Sequence, residues 1–494
     1  MEVVHNIPFF CILFTMACGV ITSILSGKNA YKLVLFSSSL CFILHCFLLV
    51  HMYYQPQSVT FLMGHFSAPW GNEIRFGPFE VLMSSAFSMV MVLSLLTGTE
   101  KIFSKAHETK VNMYFLMMNL LLSSTFALVY TNDLFTAYVF LEINTLCSCG
   151  FVAAKNTRKA IAATIKYLIM SLLGSGLFLM SIIILYVLTG QLLMPNVKES
   201  IDVLMAEGSY AMPITIIVGL MSVSIAIKSA LFPFHNWVPN AYDRAFNLSN
   251  ALSSGIVLKS YIVLLIKIFY RVFGLENIVK LEILNIFLLF GVMSMLFASL
   301  EAVREDNVKK MLSLSSIAQI GYIYVGISLG TTAGFLSAAY TIIGHSMMKS
   351  MLFLACEGLM EVSDNSKSAE SLRGSAYVNP MAGLAFGVGT LSMIGFPLFS
   401  GFYGKFLLAL ASAASSARMW LILGALILST LLNAIYFLRV VQSIYGRTEG
   451  VDLKPADIPK RYQWSMGLFI LVNLAIGLTY GPVTKLSTDG LALL

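Results

Sequence analysis

Apolar runs of about 20 residues, the length a helix needs to cross a bilayer core, follow one another along this chain with short polar connections between them. The runs are continuous rather than spaced at helical or strand period. That feature fixes the class as an all-α membrane protein. Composition agrees: charged residues make up 11% of the 494 residues, against about 25% in an ordinary soluble domain. So few charges cannot cover a soluble protein of this size.

Fourteen candidate transmembrane helices result, near 8–26, 31–51, 78–98, 111–131, 134–154, 161–189, 212–232, 246–270, 283–303, 309–329, 333–358, 381–403, 417–445 and 464–483. The first run lacks a basic n-region and an A-x-A-type end, so it reads as a membrane helix rather than a signal peptide. No polar stretch is long enough to fold separately, and residues 1–494 read as a single transmembrane domain. The longest polar connections, around 52–76, 190–211, 362–378 and 446–462, read as loops, a short hairpin or a surface helix.

The net charge of +7 resides in short connections. Those after odd-numbered spans hold Lys28, Lys32, Lys101, Lys105, Lys110, Lys155, Arg158, Lys159, Arg304, Lys309 and Lys310, whereas those after even-numbered spans are poor in Lys and Arg. Basic connections stay in the cytoplasm. The expectation is a multi-pass protein of the cell inner (cytoplasmic) membrane with both termini outside. No basic run or basic–aromatic patch points to nucleic acid.

Two helices read as broken. Helix 7 runs into Leu231-Phe232-Pro233-Phe234-His235, and helix 12 carries Ile394-Gly395-Phe396-Pro397. Proline removes a backbone donor, and unwound backbone at membrane depth persists only against protein or a watery cavity. Two breaks five spans apart suggest two structural repeats, as in transporter folds; packing kinks are the plainer reading.

Charges inside the spans carry the functional signal, because a mid-bilayer charge costs at least about 2.5–3.5 kcal/mol. Glu142 sits mid-span 5 between apolar flanks and needs a cationic partner or a proton. Lys228, five residues before Pro233, is equally deep and is the natural partner; a static ion pair is the alternative. Lys259 lies mid-span 8. Lys405 follows the helix 12 break and either faces the interior or snorkels to the membrane edge. His345 and Lys349 are four apart, hence on one helix face. A histidine relays protons near neutral pH, or it is a satisfied core residue. Lys166 and Glu357 read as interfacial.

Competing chemistry is missing. The seven cysteines lie in apolar runs without C-x-x-C, so no metal and no cofactor are expected in this chain. The phosphate-loop pattern G-x-x-x-x-G-K-[ST] does not occur. Gly174-Ser-Gly176 and Gly387-Val-Gly389 lie inside spans and read as close helix packing.

These residues resemble a known pattern, that of the antiporter-like subunits shared by respiratory complex I, Mrp-type cation/proton antiporters and membrane-bound hydrogenases. From Lys228, K-S-A-L-F-P-F-H-N-W-V-P-N-A is similar to the family's K-x-x-x-x-P-F-H-x-W-L-P-x-A. From Asp306, D-N-V-K-K-M-L-S-L-S-S-I-A-Q-I-G-Y is similar to D-x-K-R-x-L-A-Y-S-S-I-S-Q-x-G. His345 to Phe353 resembles H-A-x-x-K-x-x-L-F, and Gly395 to Lys405 resembles G-x-P-x-x-x-G-F-x-x-K. The loop Gly64 to Gly71 resembles a glycine-, tryptophan- and proline-containing hairpin before the family's third helix. Leu141, Tyr242, Phe246, Leu248, Ser260 and Phe79-Glu80 depart from the common residues and point to a divergent branch.

The resemblance implies 14 transmembrane helices with two inverted five-helix repeats, 111–270 (helices 4–8) and 283–445 (helices 9–13), and broken helices 7 and 12. It implies proton-pathway roles for Glu142, Lys228, Lys259 and Lys405, and places His345, with Lys349 beside it, on a central water-filled axis. The lysine at 405, the length and the helix count resemble the Mrp D-type subunit. The expected function is a proton-translocating subunit of a multisubunit complex, a monovalent cation (Na+)/proton antiporter D-type subunit or its equivalent in a redox-driven pump. Alternatives are a membrane-arm subunit of a respiratory NADH dehydrogenase or membrane-bound hydrogenase, a stand-alone solute transporter, and a structural anchor. Expected partners are other membrane subunits, homologous antiporter-like subunits among them, a redox or hydrogenase arm, the lipid bilayer, protons and Na+. Any redox chemistry would lie in other chains.

Overall fold

The computed structural model describes residues 2–66, 71–105, 108–415, 418–446 and 458–494. Among them, ten helices are long and apolar enough to cross a membrane, or twelve if each of two bent pairs counts as one span. The protein is an all-helical, multi-pass membrane protein with one small addition. Val59–Leu62 and Glu73–Phe76 pair as an antiparallel hairpin, in the register Val59↔Phe76 to Leu62↔Glu73, within the polar connection expected at 52–76. Of the glycine–tryptophan–proline loop, residues 67–70 lie outside the described residues, as does 447–457 of the last long connection. The connection at 190–211 forms the surface helix Met194–Glu207.

Each expected run falls on a helix, and the outliers have physical reasons. Ile7–Thr22 has 16 residues, short of the usual 17–25 or so for a span. Thr332–Glu361 spans 30 residues, but His345, Lys349, Glu357 and several hydroxyls lower its apolarity. It tolerates them because protein covers it: His345 and Lys349 are fully buried. The run read as 464–483 ends early. Its helix stops at Leu478, and Tyr480–Ala492 continues at 69° to it, a helix beginning at Gly481-Pro482, where proline suits the first turn.

Burial sorts the helices into a centre and a rim. The most apolar windows of Asn247–Phe273 and Val308–Ser328 are wholly buried, whereas those of Gly27–Tyr54, Arg158–Thr189 and Met419–Ile444 are only 33–39% buried. Central helices must satisfy their own polar groups. Val308–Ser328 does so from its first turn, where the Asn307 side chain accepts from the backbone of Lys309 and Lys310. Ser313, Ser315 and Ser316 donate back to carbonyls three or four residues earlier. It also packs close to Ile283–Arg304: a Cβ on Gly321 would lie 2.6 Å from the Gly291 carbonyl oxygen, so small residues set this approach.

Both expected breaks are present. Ala211–Lys228 ends at Lys228, Ala230 turns left-handed (φ 60°), and the chain resumes through a 3-10 turn, Phe234–Asn236, into Trp237–Arg244. Pro380–Ile394 ends at Gly395 (φ 93°), and Ser400–Ala413 begins five residues on. A feature without sequence warning lies on the central helix. Ser253–Val257 and Phe269–Phe273 are wound as π-helix, a rare form that recurs at functional sites.

Candidate functional site

The first break assembles an ion pair. Asp133 caps the Leu134–Ala153 helix by accepting from the Thr136 backbone at 2.7 Å, which sets the helix's register and carries Glu142 two turns in. Lys228, on the last turn before the break, brings its Nζ to 3.6 Å from Glu142 Oε1. The lysine side chain is fully buried and that of Glu142 is 20% exposed, so the carboxylate stands on the rim. Val139 and Leu146, one turn either side of it, face outward. Lys228 also donates to Thr145 Oγ1 at 2.8 Å, and that hydroxyl meets the Tyr261 hydroxyl at 3.2 Å. Tyr261 is two residues from Lys259. Ser229, next to Lys228, meets the Tyr324 hydroxyl at 2.8 Å on the central Val308–Ser328 helix. A carboxylate, an ammonium and the Thr145 and Tyr261 hydroxyls are thus linked in one set, with the Ser229–Tyr324 hydroxyl pair beside it.

The centre holds cations without carboxylates. Lys259 follows the first π stretch and donates to the Ser254 carbonyl within it. Gly255, in that stretch, is where the helix meets Thr332–Glu361, because a Cβ there would collide with Ser350 Oγ. Lys349 donates to the Leu312 carbonyl at 2.8 Å and to Ser315 Oγ, and lies 5.5 Å from the Phe437 ring centroid. No carboxylate lies within ion-pair distance of Lys259 or Lys349 among the described residues.

His345, one turn before Lys349, is fully buried, and neither ring nitrogen has a partner among the described residues. It lines a cavity of about 10 Å³ with Gln319, Tyr322 and Lys405, roughly the room one water needs. Gln319 Nε2 is unpartnered too. Orphaned polar atoms around a water-sized space are the signature of a hydrated site.

At the second break Lys405 reaches back across the gap. Its Nζ donates to the Met393 and Ile394 carbonyls at 3.0 and 2.9 Å and to Thr430 Oγ1 at 3.2 Å. Those carbonyls end the broken half-helix, where the backbone carries unsatisfied acceptors and partial negative charge. Lys405 therefore caps rather than snorkels. Pro233 and Pro397 lie in the two breaks as expected. Lys166 is exposed. Glu357, read as interfacial, is mostly buried and lies 3.9 Å from Lys101.

Two further charged clusters escape a reading by spans. Glu80, fully buried, meets Arg75 at 3.1 Å and Lys267 at 4.0 Å. Lys267 also donates to the Val129 and Thr131 carbonyls at a helix end. Its hint was a lysine one turn short of the end of a wholly apolar run. At the end of the bundle that carries the basic connections, Asp243 holds Lys367 at 2.6 Å and Asn307 at 2.8 Å, while Lys309 donates to the Ala245 carbonyl at 2.7 Å. Among the described residues no group of three metal-ligating side chains occurs.

Comparisons with known proteins meet this geometry. The profile of the family described as NADH:quinone oxidoreductase/Mrp antiporter, TM, matches residues 131–432, from before Glu142 to beyond Lys405. "NADH-quinone oxidoreductase subunit N" of Desulforudis audaxviator is 28% identical over 379 residues, 76% of this chain and 73% of that protein. "Putative antiporter subunit mnhD2" of Staphylococcus haemolyticus is 27% identical over 491 residues, 98% of this chain and 94% of that one. Among solved structures, a chain of the membrane-bound sulfane sulfur reductase, an archaeal respiratory membrane complex, superposes with a TM-score of 0.86 at 22% identity, covering 99% of this chain and 96% of that one. A chain of the Mrp complex from Dietzia sp. gives 0.86 at 19% identity, covering 100% and 97%. The last two are likenesses of fold.

Proposed function

The chain belongs to the NADH:quinone oxidoreductase/Mrp antiporter transmembrane family, and on that footing we propose that it is a proton-translocating, antiporter-like subunit of a multisubunit membrane complex. The observation that carries the proposal is the Glu142–Lys228 pair at a helix break, followed inward by buried cations without counter-charges. The near full-length likeness to an antiporter subunit favours a Mrp-type cation (Na+)/proton antiporter D-type subunit or its equivalent in a redox-driven pump. The likeness to an NADH-quinone oxidoreductase subunit supports a second reading, a membrane-arm subunit of a respiratory dehydrogenase or related complex. Any redox chemistry would lie in other chains, and no cofactor is assigned to this one.

The finer architecture belongs to the same proposal: fourteen spans in the inner membrane with both termini outside, and inverted repeats at 111–270 and 283–445. A proline-containing break in each stretch supports the repeats. Glu142 supports the partner subunits. A mid-span carboxylate on an outward-facing stripe is costly against lipid, and a neighbouring polar subunit removes that cost.

The mechanism follows from the charges. Glu142 holds Lys228 protonated. A change in the neighbouring subunit draws the carboxylate away, Lys228 loses its counter-charge in a low-dielectric site, and it releases its proton. The Thr145 hydroxyl links Lys228 to Tyr261, on the helix that carries Lys259. From there the proton passes the hydrated His345–Lys349 region to Lys405 and an exit. The test is cation-dependent proton exchange in everted vesicles. Lys228→Ala should abolish it with the complex still assembled; normal exchange by that variant would overturn the proposal. Native mass spectrometry of the same complex separates the two readings by whether dehydrogenase or hydrogenase subunits co-purify.

A further inference from the structure

A deep groove opens on the bundle's outer surface, away from the charged axis. It has a volume of about 940 Å³ and lies between the Pro78–Gly98, Pro380–Ile394 and Lys460–Leu478 helices. Its walls are apolar: Leu96, Met381, Leu384, Leu468 and Leu471 line it. Its mouth is not. Lys460 and Arg461 stand there, at the end of the bundle where the basic connections gather, and Trp464 beside them is 81% exposed. Exposed tryptophan next to lysine and arginine marks the headgroup level of a membrane.

Arg461 is held in place. Its Nη2 donates to the Leu95 carbonyl at 2.7 Å, to Thr99 Oγ1 at 3.2 Å and to the Tyr31 hydroxyl, and the guanidinium lies 4.8 Å from the Tyr31 ring centroid. Lys460 is exposed and forms no ion pair among the described residues. Glu100, in an adjoining smaller cavity, is close enough for its charge to act on Arg461 and offsets part of it, and Glu361 faces Lys101 at 3.9 Å, which leaves Lys460 as the cation in excess. The mouth is thus positive, preorganised on one side, and continuous with a slot for hydrocarbon.

We propose that this groove binds an anionic phospholipid, with its phosphate between Lys460 and Arg461 and its acyl chains along the leucine-lined wall. The charge pattern selects the occupant. A neighbouring apolar helix would fill the slot but leave Lys460 at the mouth unanswered, and a zwitterionic lipid would answer it less well. Basic pockets between membrane helices on the cytoplasmic side are suited to such headgroups. The proposal does not depend on proton translocation.

The groove supplies its own control. Gly467 lines it, and a Cβ built there meets nothing within 4 Å. Gly467→Leu therefore adds a side chain to the slot whose Cβ meets no described residue. The experiment uses the intact complex in vesicles containing brominated phosphatidylglycerol or brominated phosphatidylcholine. Trp464 fluorescence is read as the difference from Trp464→Phe. Quenching by the anionic lipid should occur at lower mole fraction than by phosphatidylcholine. Lys460→Gln should shift the anionic midpoint by about fivefold, and Lys460→Gln with Arg461→Gln by roughly thirtyfold. Gly467→Leu should abolish saturable quenching by either lipid. Equal midpoints for the two lipids, or Gly467→Leu behaving as wild type, would overturn the assignment.

Discussion

At the first break, Lys228 faces a carboxylate at 3.6 Å. At the second, Lys405 faces two carbonyls and a hydroxyl at 2.9–3.2 Å and no carboxylate among the described residues. The difference separates two ways of stabilising an ammonium inside a membrane. A carboxylate side chain on another helix can be withdrawn, and the charge it holds then becomes unstable. Backbone carbonyls at a half-helix end belong to the fold and stay. A shift of one helix can undo the first arrangement, whereas the second is fixed by the half-helix end itself.

The largest effect should come from dismantling the first site. Glu142→Gln leaves Lys228 bare and should cost about 3–5 kcal/mol of stability. Glu142→Leu with Lys228→Met, which removes both charges, should recover most of that loss without restoring transport. Thermal unfolding of the detergent-solubilised complex measures it. Equal losses in the single and double variants would show that the pair is not an interacting unit.

The second site should respond more mildly. Lys405→Ala strands two carbonyls, and a loss of about 1–3 kcal/mol follows if they find no water. Lys405→Gln keeps a donor without a charge. It should retain most of the stability while losing proton transfer, as read in unfolding and vesicle assays run together. If Lys405→Gln transports normally, the second site is a cap and nothing more.

His345→Leu should change stability little, because neither ring nitrogen is bonded to a described residue. It should slow transport about tenfold or more, within the range a positioned proton-transfer group supplies. A variant as fast as wild type would remove the histidine from the path. The smallest effect belongs to Thr145→Val, which deletes one hydroxyl between Lys228 and Tyr261 and should slow transport a few-fold, with a loss of about 1 kcal/mol. A loss as deep as that of Lys228→Ala would mean that the hydroxyl, rather than the lysine, sets the rate.

Much of this contrast was legible in the sequence. Glu142 and Lys228 both sit in apolar flanks, and a buried charge demands a partner, so the pair could be named before any coordinate. Pro233 and Pro397 announced the breaks, since proline cannot continue a ladder. What Lys405 binds was not legible. Two of its partners are backbone atoms eleven and twelve residues away, and they converge on it because the chain turns at Gly395 and Leu398, both at positive φ. The π winding before Lys259, where Gly255 packs close to Ser346 and Ser350, has no residue signature of its own. Glu80 could be seen only as an unusual residue, because Lys267 is remote in sequence and Arg75, five residues away, turns toward it only once the hairpin strand forms. Intramembrane charge locates a site from sequence; the geometry that distinguishes a gate from a cap requires the fold.

The central claim is that Lys228 keeps its proton only while Glu142 is near. The most direct measurement is proton flux in everted vesicles carrying Glu142→Gln, with assembly of the complex verified by native mass spectrometry. The account predicts an assembled complex with no cation-dependent flux. An assembled complex pumping at close to the wild-type rate would contradict it.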